Sequence, residues 1–147
     1  MPKKASYEYY KEKIYSPQYQ YYNNNPLQKS TGDCVIRAIA AGLHADWEDV
    51  YRELTEYSIK TGYVQNSKEL YGKYLIDKGW VRQKRPSPVN GKRMRLKEFA
   101  QNFNGNAIVY AGAGHLTYLS EGKILDTWNP EDRVLNSYWI PKQEMQQ

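Results

Sequence analysis

The chain has one cysteine, Cys34, two histidines and two phenylalanines in 147 residues, and each scarcity removes a class of answer. A lone cysteine cannot form an internal disulfide, so a disulfide-stapled fold of an oxidising compartment is excluded. The N-terminus, Met-Pro-Lys-Lys-Ala-Ser-Tyr, has no apolar run of the signal-peptide kind. Both observations make a reducing cytoplasm the expected location. No window approaches the roughly eighteen apolar residues of a membrane helix, and no membrane role is expected. One Cys and two His without HExxH or CxxC spacing are too few soft ligands for a metal centre; neither metal nor cofactor is expected.

What is present suits one globular domain with a single core, because 40% of the residues are apolar. The aromatic content is amphipathic, with fifteen tyrosines. The formal charge of +5 hints at an anionic partner, although a solvated surface is the simpler explanation of so modest an excess.

Residues 1–25 form a tyrosine-rich leader, with Tyr7, Tyr9, Tyr10, Tyr15, Tyr19, Tyr21 and Tyr22 set among Lys, Gln and Asn. Such an arm either packs on its own domain or stacks on nucleobases. Residues 26–147 then read as a single domain. The near-continuous apolar run Val35 to Leu43, interrupted by Arg37, predicts a helix buried on most sides. Trp47, Val50, Tyr51, Leu54 and Tyr57 predict an amphipathic helix over 47–60, with an Asp46/Asp49 capping box and a stop at Gly62. Leu70, Tyr71, Tyr74 and Leu75 mark a third helix, capped by Asn66 or Ser67 and stopped by Gly79.

Trp80 and Val81 open an extended segment. Residues 82–97 carry seven Lys or Arg and no acid, broken by Pro86, Pro88 and Asn90-Gly91, which reads as a basic loop or hairpin. Lys84, Arg85, Lys92 and Arg93 are its candidate partner-binding residues, against the alternative of a solvated excursion. A short helix over 95–102 turns Leu96, Phe99 and Ala100 inward. Three β-rich runs follow, at 107–111, 115–119 and 123–128, separated by Gly112-Ala113-Gly114 and Ser120-Glu121-Gly122, as in an antiparallel meander. Ser137 to Ile140 is a further candidate strand. Helices first and sheet second predict an α+β fold.

A nucleophilic thiol needs a base, a group that orients the base, and donors for the developing oxyanion. Cys34 opens a helix, where unpaired N–H groups and the helix dipole favour thiolate. His115 starts a strand, and Asp126 lies eleven residues on in the next one. With a turn near Glu121-Gly122, the carboxylate is expected to accept the imidazole Nδ1 proton across the hairpin. Asn129 is the second choice of orienter. Asp33, beside the thiol, opposes thiolate unless its carboxylate is engaged as a helix cap. His44 falls in a polar turn and reads as surface. Taken singly, a cysteine on an apolar helix is also an ordinary inert core residue.

The order Cys34, His115, Asp126, with Gln28 six residues before Cys34, resembles the papain-like cysteine peptidase superfamily, and in particular its small bacterial and phage-type members. The resemblance covers roughly residues 26 to 130. It implies a papain-like fold, with the cysteine helix packed on a C-terminal antiparallel sheet. It also implies Cys34 as nucleophile, His115 as base, Asp126 as orienter, and Gln28 with the Cys34 N–H as oxyanion donors. The local sequence Ser-Thr-Gly-Asp-Cys-Val differs from the Cys-Gly-Ser-Cys-Trp signature of the best-known endopeptidases. Two functions follow. One is a cysteine-dependent hydrolase or acyltransferase working on a peptide, amide or isopeptide bond in a peptide or protein. The other is a non-enzymatic module on the same scaffold, holding an acidic protein or a nucleic acid through the basic loop and the tyrosine arm.

Overall fold

The computed structural model describes residues 16–88 and 90–146, so the leader tyrosines up to Tyr15 lie outside the described residues. Helix α1 (Cys34–Leu43) is the buried helix of the apolar run. It ends where His44, which is exposed, takes a left-handed conformation and returns its N–H to the Ala41 carbonyl at 3.2 Å. Gly42 lets it lie close on the sheet, since a Cβ there would stand 2.7 Å from Ile108 Cδ1. Helix α2 (Trp47–Thr61) buries Val50 and Leu54 along one stripe. Its terminal Gly62, at φ 82°, caps it through an N–H bond to the Ser58 carbonyl at 2.8 Å. The Asp46 capping box does not form. Asp46 makes no side-chain cap bond, and Glu48 and Asp49 instead place acid in the first turn, where the helix dipole favours it. Helix α3 (Lys68–Asp77) follows Ser67, also without a side-chain cap bond, and Gly79 at φ 87° turns the chain into the sheet.

Among the described residues six strands form one sheet in the order β1-β5-β4-β3-β6-β2. Its centre is the expected meander of β3 (Asn106–Ala111), β4 (His115–Ser120) and β5 (Lys123–Asp126). The last strand, β6 (Leu135–Pro141), pairs with β3 rather than extending the meander past β5. The start of the basic segment is built into the sheet as β2 (Trp80–Lys84), antiparallel to β6. On the opposite edge, β1 (Tyr19–Tyr21) runs parallel to β5, so the leader's last residues belong to the domain. Strands therefore precede and interrupt the helices, and a simple order of helices and then sheet does not hold.

The fold is α+β in three layers. Helices α1 to α3 cover one face around Ile39, Leu54, Leu75, Ile108 and Leu116. Helix α4 (Leu96–Asn102) covers the other, with Leu96, Phe99, Leu119, Ile124 and Leu135. Burial of these side chains, about 1.5–3 kcal/mol each, is the main force holding helices to sheet. Among the described residues no helix is long and apolar enough to cross a membrane. The pairing brings β1, β2, β3 and β5 to an end, and starts β4 and β6, on one side of the sheet. Tyr21, Asp126, His115, Ala111, Leu135 and Lys84 line that side.

Candidate active site

The N-terminus of α1 meets this side of the sheet, and Cys34 is the helix's first residue. Its thiol is partly buried. Asp33, immediately before it, is not a side-chain cap of the helix. Its carboxylate instead accepts from Arg37 Nε and Trp47 Nε1, both at 2.9 Å, and from Asn25 Nδ2 at 3.1 Å. Burial alone would raise the Asp33 pKa, but these three donors together hold it below the ordinary carboxylate value. The charge beside the thiol is thus neutralised by a cation and two polar groups.

Arg37 is the residue sequence reasoning passed over. One helical turn beyond Asp33, it also sends Nη1 to Asp126 Oδ1 at 3.0 Å, joining α1 to the end of β5. Asp126 is only 1% exposed and both of its carboxylate oxygens are engaged. Oδ1 also takes the Thr127 N–H at 2.7 Å, and Oδ2 lies 2.6 Å from His115 Nε2. The main chain of Asp126 is fixed from the leader side, where Tyr19 Oη and the Tyr22 N–H both donate to its carbonyl, at 3.0 and 2.9 Å.

The His115-to-Asp126 contact uses the other ring nitrogen from the one expected. Strands β4 and β5 pair Ser120 with Lys123 and Tyr118 with Leu125 around the two-residue turn Glu121-Gly122. Continuing that register sets Asp126 opposite Thr117, so His115 is its diagonal neighbour and reaches the carboxylate with Nε2. Nδ1 is left for the thiol. Trp128, just past the end of β5, packs against the imidazole with ring centroids 4.5 Å apart, and Arg133 lies over that indole at 5.3 Å. Sequence reasoning missed Trp128; its only signal was an aromatic residue two positions after the acid.

Electrostatically the three groups form a chain. For Cys34, burial favours the neutral thiol. The hydrogen bond from His115, the Leu116 main-chain N–H, and the charges of His115 and Arg37 outweigh it and lower the pKa. For His115, burial would depress the pKa, but Asp126 and Cys34 raise it to about 9. Asp126 is likewise pulled below its ordinary value, its burial overcome by His115 and Arg37. Both shifts act toward a thiolate facing an imidazolium, the ionic form that a nucleophilic cysteine uses.

Gln28 is not engaged with this chain. It sits at φ 54° in an exposed loop, and its Nε2 donates to the Asn23 and Asn25 carbonyls at 2.9 and 3.0 Å. Both amide protons close the loop, which leaves none for an oxyanion in this arrangement. Asn129 accepts the Glu131 N–H at 3.1 Å and is not at the imidazole's second nitrogen, which Asp126 occupies. The basic candidates are divided. Lys84 is exposed at the end of β2, and Arg85 lines a cavity with Lys68 and Arg82. Lys92 lines a second cavity beside Met94 and Glu98. Arg93 donates to Asn136 Oδ1 at 2.9 Å and borders an open groove that runs to Trp128. Among the described residues no group of three or more His, Cys, Asp or Glu is placed to hold a metal ion.

No protein-family model matches the chain, and neither a curated protein nor a solved structure matches it.

Proposed function

We propose that this chain is a papain-like thiol hydrolase or acyltransferase that cleaves or exchanges a peptide, amide or isopeptide bond through a thioacyl intermediate. The observation that carries the reading is His115 bound to a buried Asp126, in a setting where that imidazole also helps lower the Cys34 pKa. Cys34 Sγ attacks the carbonyl carbon, and the C=O electron pair moves onto oxygen. The Cys34 N–H and the positive end of α1 face the charge that forms. As the oxygen pair returns, the C–N bond breaks and the His115 imidazolium gives its proton to the leaving amine. The thioester then meets water or a second amine. Neutral His115 takes that nucleophile's proton as it adds, the C–S bond breaks, and the thiolate–imidazolium pair is restored. Asp126 holds the ring and stabilises its charged form throughout.

With one cysteine in the chain, labelling by a thiol-directed acyl probe reports on Cys34 alone. Rapid labelling at neutral pH that collapses in His115→Ala is the expected result. Slow labelling, equal in both proteins, would overturn the reading. It would favour a non-enzymatic module that holds an acidic protein or a nucleic acid. That alternative draws support from Gln28, whose commitment to its own loop leaves the oxyanion position one side-chain donor short.

A further inference from the structure

We propose that the cavity between α3, β3, β6 and β2 is an anion subsite that selects a carboxylate side chain, Asp or Glu, within a few residues of the bond attacked by Cys34. This rests on the reading of Cys34 as nucleophile. The cavity, about 440 Å³, is lined by Lys68, Tyr71, Arg82, Arg85, Tyr110 and Ser137, with Asn136 and Trp139 completing the wall, and it contains no acid. Among the described residues, none of the three cations is paired with a carboxylate. Unpaired cations on a surface are ordinary; here two hydroxyls on largely buried side chains line the same space.

Tyr71 is 4% exposed and Ser137 5%, and both line the cavity. Neither hydroxyl makes a hydrogen bond to the described residues, whereas the equally buried Tyr74 and Tyr19 hydroxyls are bonded to Glu53 and to the Asp126 carbonyl. Both hydroxyls reach the open space of the cavity rather than being sealed in the core, so each is free to donate to whatever occupies it. Residues bearing two hydroxyl donors, an ammonium and two guanidinium groups thus line one space, and a ligand that uses all of them is acceptor-only. An ionised carboxylate is such a ligand. A nucleobase fits less well, because single-strand binding needs open aromatic faces. Lys68 Nζ already covers the Tyr110 ring at 4.3 Å, and Tyr71 and Trp139 are packed into the core.

Tyr71 and Trp139 of the cavity wall belong to the same apolar cluster that Cys34 packs against. Strand β3 neighbours the strand that bears His115, and β6 and β2 follow it. At about 4.8 Å per strand, the cavity spans roughly 5–14 Å from His115, the reach of about two to four residues of extended peptide.

The test uses peptides that carry an internal epoxide, which alkylates a thiol while presenting residues on both sides. Second-order rates of Cys34 modification are read by mass spectrometry for the full chain, with Glu or Gln at each of the first four positions on either side. At one or more positions Glu is expected to react about tenfold faster than Gln, the scale of a charge-assisted contact at a partly exposed site. That ratio should fall to about one in the Arg82→Gln/Arg85→Gln double variant and recover in part with Lys at both positions. No Glu preference anywhere, or a preference that survives the double variant, overturns the proposal. A phosphoserine peptide that outpaces Glu with the same dependence overturns the carboxylate assignment in favour of phosphate. A single-stranded oligonucleotide that displaces the Glu peptide overturns it in favour of nucleic acid. Anisotropy of the same peptides without the epoxide reads the subsite independently of the thiol. Glu-selective binding without alkylation would refute the thiol reading alone, and alkylation without Glu selectivity would refute the subsite alone.

Discussion

Replacing Arg37 with Met tests the electrostatic frame of the site without presuming any substrate. The guanidinium bridges Asp33 and Asp126 at 2.9 and 3.0 Å, and its side chain is 11% exposed against 4% and 1% for the carboxylates. Removing one partner of a buried ion pair costs about 3–5 kcal/mol, because a charge is left buried without compensation. Both carboxylates retain other donors here, Asn25 and Trp47 for Asp33 and Thr127 and His115 for Asp126, and Met preserves much of the arginine stem's packing. The low end, about 3 kcal/mol at pH 7, is therefore expected, read as a shift in the urea midpoint at constant slope. The pH dependence has a definite sign. Both folded carboxyl pKa values lie below ordinary, so their stabilisation is complete above the unfolded value of about 4 and is lost as pH falls through the folded values. The gap between wild type and variant should hold from pH 7 to about 5 and narrow below about 4. The Cys34 pKa should also rise, since the Arg37 charge helps lower it. A loss under about 1 kcal/mol, or a gap that stays constant into acid, would refute buried pairing as the role of Arg37.

The rate of Cys34 alkylation by iodoacetamide should remain high well below pH 8.5, because the thiol pKa is lowered and His115 stays charged up to about 9; in His115→Ala the rate should climb only above neutrality, and coincident profiles would refute the ion pair. Asp126→Asn keeps an oxygen for the Thr127 N–H but removes the charge facing the imidazole, so the histidine pKa, followed by NMR, should drop from about 9 and neutral-pH labelling should slow about tenfold or more. An unchanged histidine titration would show that Asp126 does not set it. Tyr19→Phe removes the bond from the phenol to the Asp126 carbonyl and should cost about 1 kcal/mol by denaturation, whereas Tyr21→Phe, at a side chain 54% exposed, should cost nothing measurable. Equal effects would mean that β1 does not brace the site through Tyr19.

The parts of this fold legible in the sequence are those whose signals are local. Helix α2 shows its apolar stripe and its Gly62 stop within one segment, and the meander shows its alternation and turn glycines. Strand β1 has only three residues and a parallel partner more than a hundred positions away, so no period marks it. The site divides the same way. The His115-to-Asp126 spacing follows from a hairpin and was readable. The ring nitrogen was not, because the two-residue turn moves the pair onto a diagonal. Gln28 matched by offset, but an amide in an Asn-rich loop finds nearer acceptors, and spacing carries no information about that competition. Arg37 is the instructive case, since its presence in an otherwise apolar helix already poses a question of charge. A guanidinium cannot lose its proton, so burying it requires acids, and Asp33 one turn earlier supplies only one. Burial of the helix therefore calls for a second acid from a distant segment. Asp126 meets that demand while it also faces His115. A carboxylate bound to both cations is held ionised and in place, and that is why the imidazole beside it keeps its proton up to about pH 9 and helps lower the pKa of the thiol.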